Sequence, residues 1–285
     1  MTGIDPEIGL ELKQQRRAEP TISIVIPAKN EARNLPHVFA GLARHFHEVI
    51  LVDGNSSDNT VQVARQLRPD LTVIPQTRKG KGNALACGFE AATGDFIVML
   101  DADGSADPSE IPRFVSVLKE GADFAKGTRF IPGGGSNDIS HLRRVGNYLL
   151  NRVVNVLYGT RYTDLCYGFN AFRRECLSVM ELQAGAVDGV DENTMLWGDG
   201  FEVETLINVR IAKAGLRVAE VPSFELSRRF GDSNLNAVSD GIRVLRTIHA
   251  ERRRGSRQIA RSAANYPREV STSWSVLSTL AEEAS

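Results

Sequence analysis

An α/β fold, built on a mostly parallel, doubly wound sheet flanked by helices, is what this 285-residue sequence predicts. Three observations predict it. Strand-sized apolar runs alternate with helix-like stretches through the first half of the chain, the arrangement that gives parallel strands joined by crossover helices. The first of these runs is apolar at almost every position, as a strand buried on both faces must be. Polar and acidic residues stand directly after three of the runs, at the strand ends where open α/β sheets bind ligands.

Residues 1–20 are polar, carry Pro6 and Pro20, and read as an extension ahead of the fold. Ile22 to Pro27 is the first strand, interrupted only by Ser23. A helix follows from Glu31 to about His45, then a second strand from His47 to Asp53, with Ser56, Ser57 and Asp58 capping a helix through Arg68. Leu71 to Pro75 reads as a third strand, Lys81 to Thr93 as a helix, and Asp95 to Leu100 as a fourth strand ending in Asp101. Asp107 and Pro108 open a helix running to Glu120, and Asp123 to Thr128 is a further strand. Gly133-Gly134-Gly135 breaks the chain into a flexible loop. His141 to Tyr158, Phe201 to Ala214 and Ser239 to Arg253 read as helices, and the chain from residue 251 onward as a basic, mobile tail.

Lys plus Arg number 34 against 35 Asp plus Glu, and 42% of residues are hydrophobic, which excludes collagen-like, disordered and disulfide-stapled classes. Cys87, Cys166 and Cys176 form no CxxC and leave one thiol over in any pairing, which points to a reducing, cytoplasmic setting. No secretory signal is expected from a start that carries Asp5, Glu7 and Glu11, and no run approaches the length of a membrane span. The net charge of −1 hides segregation: seven acids and no Lys or Arg lie between Glu181 and Glu204, and seven arginines between Ser239 and Arg261. Nucleic acid is not an expected partner. Val244, Leu245 and Ile248 beside that arginine cluster read either as a helix lying on a membrane surface or as an ordinary solvated face.

Asp101-x-Asp103 after an apolar strand offers two neighbouring carboxylates to a hard cation such as Mg²⁺ or Mn²⁺, although a DxD alone is also a common solvated turn. Lys79-Gly80-Lys81-Gly82-Asn83-Ala84 joins two cations and two glycines to a helix start, so exposed N–H groups and lysines would meet a diphosphate. Gly82 stands where a Walker A motif needs Ser or Thr, and no G-x-G-x-x-G follows the first strand, which disfavours a dinucleotide enzyme.

The order of the motifs is more specific than any one of them. Ile24-Val25-Ile26-Pro27-Ala28-Lys29-Asn30-Glu31, Val49 through Thr60, the Lys-Gly-Lys-Gly loop, Asp101-Ala102-Asp103, Gly127-Thr128-Arg129-Phe130, Asp164 through Arg174, Val221-Pro222-Ser223-Phe224 and Ser227 through Ser233 follow one another. Together they resemble family 2 glycosyltransferases of the GT-A fold, in particular the polyprenyl-phosphate, dolichyl-phosphate mannose synthase-like branch. The resemblance covers about residues 21–250, with a donor half to about 130 and an acceptor half from about 131.

That resemblance implies a metal-dependent, inverting transfer of a hexose from a UDP- or GDP-sugar to a polyprenyl phosphate, at the cytoplasmic membrane face. It puts Pro27, Ala28, Asn30, Glu31, Asp53 and Ser56 around the base and ribose, and Lys81 at the diphosphate. Asp101 and Asp103, with Ala102 between them, would hold the metal. The branch often has Gln two residues after the second Asp, and this chain has Ser105. Arg129 and Arg144, with Arg143 beside it, fall where the branch binds the acceptor phosphate, in a stretch with no acid between Ile139 and Thr163. Arg228 and Arg229 fall on the loop that closes over the donor phosphates.

An anionic acceptor phosphate needs placement and no general base, whereas an alcohol acceptor needs a base. Asp164 is read as a sugar or catalytic-centre contact, Glu202 as an acceptor-side group, and Glu204 as a surface salt bridge. The same donor chemistry with a soluble or natural-product acceptor is the alternative. A sugar-1-phosphate nucleotidyltransferase and a nucleotide-sugar sensor are less favoured, because Ala28-Lys29-Asn30-Glu31 stands where the former carries G-x-G-T-R.

Overall fold

A computed structural model describes residues 19–43, 46–231 and 237–254; His45, Asp232, Ser233, Arg257 and Arg261 lie outside them, as do most of the expected extension and tail. The strands are β1 (Ile22–Ala28), β2 (Glu48–Asp53), β3 (Thr72–Pro75), β4 (Phe96–Met99), β5 (Phe124–Thr128), β6 (Gly135–Ser136), β7 (Asn170–Arg173), β8 (Val218–Pro222) and β9 (Phe224–Glu225). The α-helices are α1 (Leu35–Gly41), α2 (Thr60–Leu67), α3 (Lys81–Ala91), α4 (Ile111–Lys119), α5 (His141–Tyr158), α6 (Leu177–Met180), α7 (Val203–Lys213) and α8 (Ala237–Arg253).

One seven-stranded sheet runs β3-β2-β1-β4-β7-β5-β8, and β6 pairs with β9 apart from it. The strands of the large sheet pair in parallel except for β7, which is antiparallel to both neighbours. In β1, Ile24 and Ile26 pack with Leu35, Val38 and Phe114 on one face, while Val25 packs with Leu85, Phe89 and Ile207 on the other. This double burial explains the unbroken apolar run. Each such side chain withdrawn from water contributes about 1.5–3 kcal/mol. Because β1 is parallel to β2 and β4, with Ala28 opposite Asp53, the loops after these three strands emerge at one edge.

The central β7 was not expected from the sequence. Its Phe172 stacks on Phe124 with ring centroids 5.8 Å apart and takes Phe89 edge-on at 5.2 Å.

The first helix begins at Leu35, later than expected, because Asn30 has φ of 58° and Pro36 fits only a first turn. Ser56 and Ser57 do not cap α2: Ser56 Oγ accepts from the Asn30 amide, and the Ser57 amide donates to Asn30 Oδ1, tying two strand-end loops together. The Gly133-Gly134-Gly135 segment is packed and not a free loop. A Cβ on Gly134 would stand 2.6 Å from the Thr128 carbonyl oxygen, and one on Gly135 2.5 Å from the Phe224 ring. The body also extends past residue 251, since Glu251 is fully buried against Arg210 and Arg254 pairs with Glu181. On α8 the expected apolar surface is mostly inside: Val244 and Ile248 are buried and Leu245 is exposed.

Candidate active site

At the shared strand edge, the Asp53 carboxylate accepts from the Ser56 amide through Oδ2 at 3.3 Å and leaves Oδ1 buried without a partner. Ala28 is buried, its carbonyl accepting from the Gly54 amide at 2.8 Å, and Pro27 is half-buried beside it. Asn30 is exposed in its left-handed turn.

β4 ends in the two carboxylates. Lys81 Nζ, from the first turn of α3, lies 2.8 Å from Asp101 Oδ1 and 2.8 Å from Glu204 Oε1. Burial acts to lower the Lys81 pKa, but Asp101 and Glu204 outweigh it and hold the ammonium charged. Arg228 bridges Glu31 Oε1 and Asp103 Oδ2, each at 3.0 Å. Burial raises the Glu31 pKa despite Asn34 and Arg228. Asp103 Oδ1 accepts from the Ser105 amide at 2.9 Å, so Ser105 serves this cluster through its backbone. Ala102 turns its methyl group into the core.

Four carboxylates against two cations leave the cluster with a formal surplus of two negative charges. Gly168 lets the backbone pass close to it, since a Cβ there would stand 3.0 Å from Lys81 Nζ and 3.2 Å from Asp101 Oδ2. Hard oxygen donors and surplus charge fit a divalent cation. Among the described residues, no three His, Cys, Asp or Glu side chains are grouped to hold a metal. The resemblance implies Asp101 and Asp103 as its protein ligands, with water and phosphate oxygens completing the shell, the usual manner of Mg²⁺.

Arg129 and Asp164 face each other and not an open cleft. Arg129 Nε and Nη2 donate to the two Asp164 oxygens at 2.7 and 2.9 Å, and Nη1 donates to Glu225 at 2.9 Å. Asp164 is fully buried and Arg129 nearly so, at positions for which the resemblance implied sugar and phosphate contacts. Arg144 is exposed, its guanidinium 5.8 Å from the Phe130 ring centroid, with Arg129 at 5.5 Å from the same ring. Arg143 pairs with Asp138.

Sequence reasoning missed what fixes Asp164. Asn147, Asn151 and Asn155, four residues apart on α5, face the backbone of residues 162–166. Asn147 Nδ2 donates to Asp164 and its Oδ1 accepts from the Cys166 amide; Asn151 brackets Thr163 O and the Leu165 amide; Asn155 does the same for Tyr162. Asparagines repeated at i, i+4 and i+8 were the available signal.

The Lys79–Ala84 loop is not an exposed phosphate cradle. The Gly82 amide donates to Asp199 O at 2.7 Å and the Lys79 amide to Glu192 O at 2.7 Å. A Cβ on Gly80 would stand 2.0 Å from Asp199 O and one on Gly82 1.9 Å from Gly198 O, so the glycines serve backbone packing. Arg78, also missed, pins this acid-rich segment by donating to both Asp199 oxygens and to the Gln183 and Gly185 carbonyls. Glu204 is a buried partner of Lys81, not a surface ion. Glu202 is buried too: Oε1 accepts from the Gly198 and Gly200 amides, and Oε2 has no partner.

Residues Leu226 to Phe230 cross the carboxylate cluster as a strap. The Leu226 amide donates to Ser105 O, Arg228 makes its two ion pairs, and Phe230 lies under the Arg33 guanidinium at 4.1 Å. Arg229 is exposed.

A family model described as Glycosyl transferase family 2 matches residues 23–180. "Glycosyltransferase AglJ" of Haloferax volcanii is 30% identical over 226 residues, covering 77% of this chain and 68% of its own. "Dolichol-phosphate mannosyltransferase" of Pyrococcus furiosus is 30% identical over 229 residues, 75% of this chain and 59% of its own, so this chain spans less than two thirds of that relative. Among solved structures, glucosyl-3-phosphoglycerate synthase from Mycobacterium tuberculosis, in complex with Mn²⁺, UDP and phosphoglyceric acid, superposes with a TM-score of 0.63 at 21% identity, over 89% of this chain and 84% of that one. The same fold is thus present here.

Proposed function

The chain belongs to glycosyl transferase family 2, and from that premise we propose that it moves a hexose from a UDP- or GDP-sugar to a polyprenyl phosphate, with inversion at the anomeric carbon. The observation that carries the reading is the cluster of Glu31, Asp101, Asp103 and Glu204 with Lys81 and Arg228 at the strand ends. Asp101 and Asp103 would hold Mg²⁺ or Mn²⁺, which supplies neutralisation of the leaving nucleoside diphosphate. Asp53 has a spare acceptor for a base N–H or a ribose hydroxyl, and Pro27, Ala28, Asn30, Glu31 and Ser56 form the surrounding wall. Lys81, Arg228 and Arg229 bring positive charge to the diphosphate.

On the acceptor side, exposed Arg144 binds the phosphate beside the Arg129–Asp164 pair, both arginines lying against the Phe130 ring, and Glu202 is an acceptor-side group. A phosphate is already anionic at neutral pH, so the chain needs to place it and needs no base to deprotonate it. This reading divides residues 21–250 into donor and acceptor halves near residue 130 and puts the enzyme at the cytoplasmic face of a membrane. Among the described residues, no helix is long and apolar enough to cross one.

A soluble phosphorylated acceptor is the second reading, favoured by the phosphoglyceric acid in the complexes of the solved neighbour. Incubation with radiolabelled nucleotide sugars, Mn²⁺ and either polyprenyl phosphate or 3-phosphoglycerate separates them. Label extracted into organic solvent with release of nucleoside diphosphate is the expected result. A labelled aqueous product distinct from the donor and formed only with 3-phosphoglycerate selects the soluble acceptor, and release of pyrophosphate rejects glycosyl transfer to either.

A further inference from the structure

Lys126 puts a charge where the strand calls for an apolar side chain. It follows Phe124 by two residues on β5, so it shares the face on which Phe124 packs with Phe172 in the core, and it is fully buried. Burial acts to lower its pKa, while Asp164 and Glu220 favour the charge. Their oxygens are engaged elsewhere: Asp164 accepts from Arg129 and Asn147, and Glu220 from Thr163. The ammonium donates instead to two backbone carbonyls, Tyr167 O at 2.9 Å and Gly127 O at 3.1 Å. Those two bonds are what the charge adds over an aliphatic residue, which would fill the same place without the loss of an ion's hydration.

Lys126 stands in a polar row across the sheet. Asn170 of β7 is opposite it on one side and Glu220 of β8 on the other, all three on one face. Together they grip one turn. Glu220 accepts from the Thr163 amide at 2.7 Å and from its hydroxyl at 2.8 Å, and Asn170 Nδ2 joins Lys126 on Tyr167 O at 3.3 Å. Asn147 and Asn151 of α5 hold the residues between. The two ends of the turn reach different parts of the site. Asp164 pairs with Arg129, which shares the Phe130 ring with Arg144. Gly168 passes so close to the carboxylate cluster that a Cβ on it would stand 3.3 Å from Glu204 Oε1.

We propose that Lys126 is a positioning residue for hexosyl transfer, holding the turn from Asp164 to Gly168 so that its acceptor end stays in register with the carboxylate cluster at its donor end. Being fully buried, Lys126 acts through the Tyr167 carbonyl, next in the chain to Gly168. Without it that carbonyl keeps only the 3.3 Å bond from Asn170, and the Gly127 carbonyl loses its side-chain donor. Transfer depends on how closely the acceptor phosphate approaches the anomeric carbon, and a misplacement of about 1 Å arising away from the chemistry lowers a rate about 100-fold. This inference deepens the proposed function and rests on it for the claim that the two ends of the turn face acceptor and donor.

Lys126→Met, similar in length and without an N–H donor, tests it in the full chain with Mn²⁺ and radiolabelled nucleotide sugar. The expected result is a fall in kcat of about 100-fold with the KM for nucleotide sugar held within about threefold, because Asp53, Asp101 and Asp103 are not on the turn. Hydrogen exchange read by mass spectrometry should quicken at least about tenfold in residues 162–168 and stay unchanged in β1 and β4. Lys126→Gln keeps N–H donors on a shorter, uncharged side chain. It should show the same pattern with a fall in kcat of about tenfold, and it carries the test if Lys126→Met does not fold. An undiminished kcat, a loss that appears in KM alone, or faster exchange throughout the sheet overturns the positioning role and leaves the proposed function standing. A parent chain that transfers hexose neither to polyprenyl phosphate nor to 3-phosphoglycerate overturns both.

Discussion

Lys81→Met tests whether the carboxylate cluster is held together by charge. The substitution keeps the length of the side chain and removes the ammonium that lies 2.8 Å from both Asp101 and Glu204. Breaking a buried ion pair by removing one partner costs about 3–5 kcal/mol. Asp101 retains 31% side-chain exposure and its charge is partly screened, which brings the expected loss down to about 2–4 kcal/mol. For a chain of this size that corresponds to a fall in melting midpoint of roughly 3–7 °C.

The pH dependence of that loss has a definite sign. Burial already raises the Glu204 pKa against the pull of Lys81, and removal of Lys81 raises it further. A raised carboxyl pKa gives stability that is fully present below the unfolded value, near 4.5, and lost as pH rises through the folded value. The deficit of Lys81→Met should therefore be smaller at pH 5 than at pH 8. Adding Glu204→Gln should recover most of it, because the orphaned charge is gone. Thermal melts of the parent, both single variants and the double variant at the two pH values give the cycle. A deficit equal at both pH values and unrelieved by Glu204→Gln would refute an electrostatic cluster and leave only lost packing.

Asp101→Asn and Asp103→Asn should each abolish the Mn²⁺-dependent melting shift given by a nucleoside diphosphate, a shift worth about 2.7 kcal/mol at one hundred times Kd. Arg228→Met takes a cation from the cluster and leaves Asp103 and Glu31 uncompensated, so Mn²⁺ binding followed by electron paramagnetic resonance should tighten while stability without metal falls. Asn151→Leu strands the Thr163 carbonyl and the Leu165 amide and should cost about 1–3 kcal/mol for each group, read by urea unfolding, with Asp101 and Asp103 untouched.

The donor edge was legible in the sequence because its signals are local. A buried parallel strand is apolar throughout, and Asp53 and Asp101 directly follow such runs, so the topology alone brings them to one edge. The middle of the sheet was not legible. β7 is four residues long, Asn170 to Arg173, and what makes it a strand is its place between β4 and β5, far away in the chain. The surroundings of Arg129 were hidden for a related reason. Arg129 looks like a free phosphate ligand until Asp164 and Glu225, 35 and 96 residues away, occupy its guanidinium.

The same long-range pairing reinterprets the segregated charge. The acid-rich segment carries no Lys or Arg of its own, and Asp199 closes on Arg78, Glu204 on Lys81 and Glu181 on Arg254. Folding thus matches three of this segment's seven acids to cations of the donor loop and to Arg254, and the charge gathered elsewhere is informative. Surplus negative charge remains where Glu31, Asp101, Asp103 and Glu204 gather, and surplus positive charge along Arg144, Arg152, Arg161 and Arg246. The first surplus suits a divalent cation and the second anionic groups. A net charge of −1 is compatible with both because the two surpluses lie on different elements of one fold.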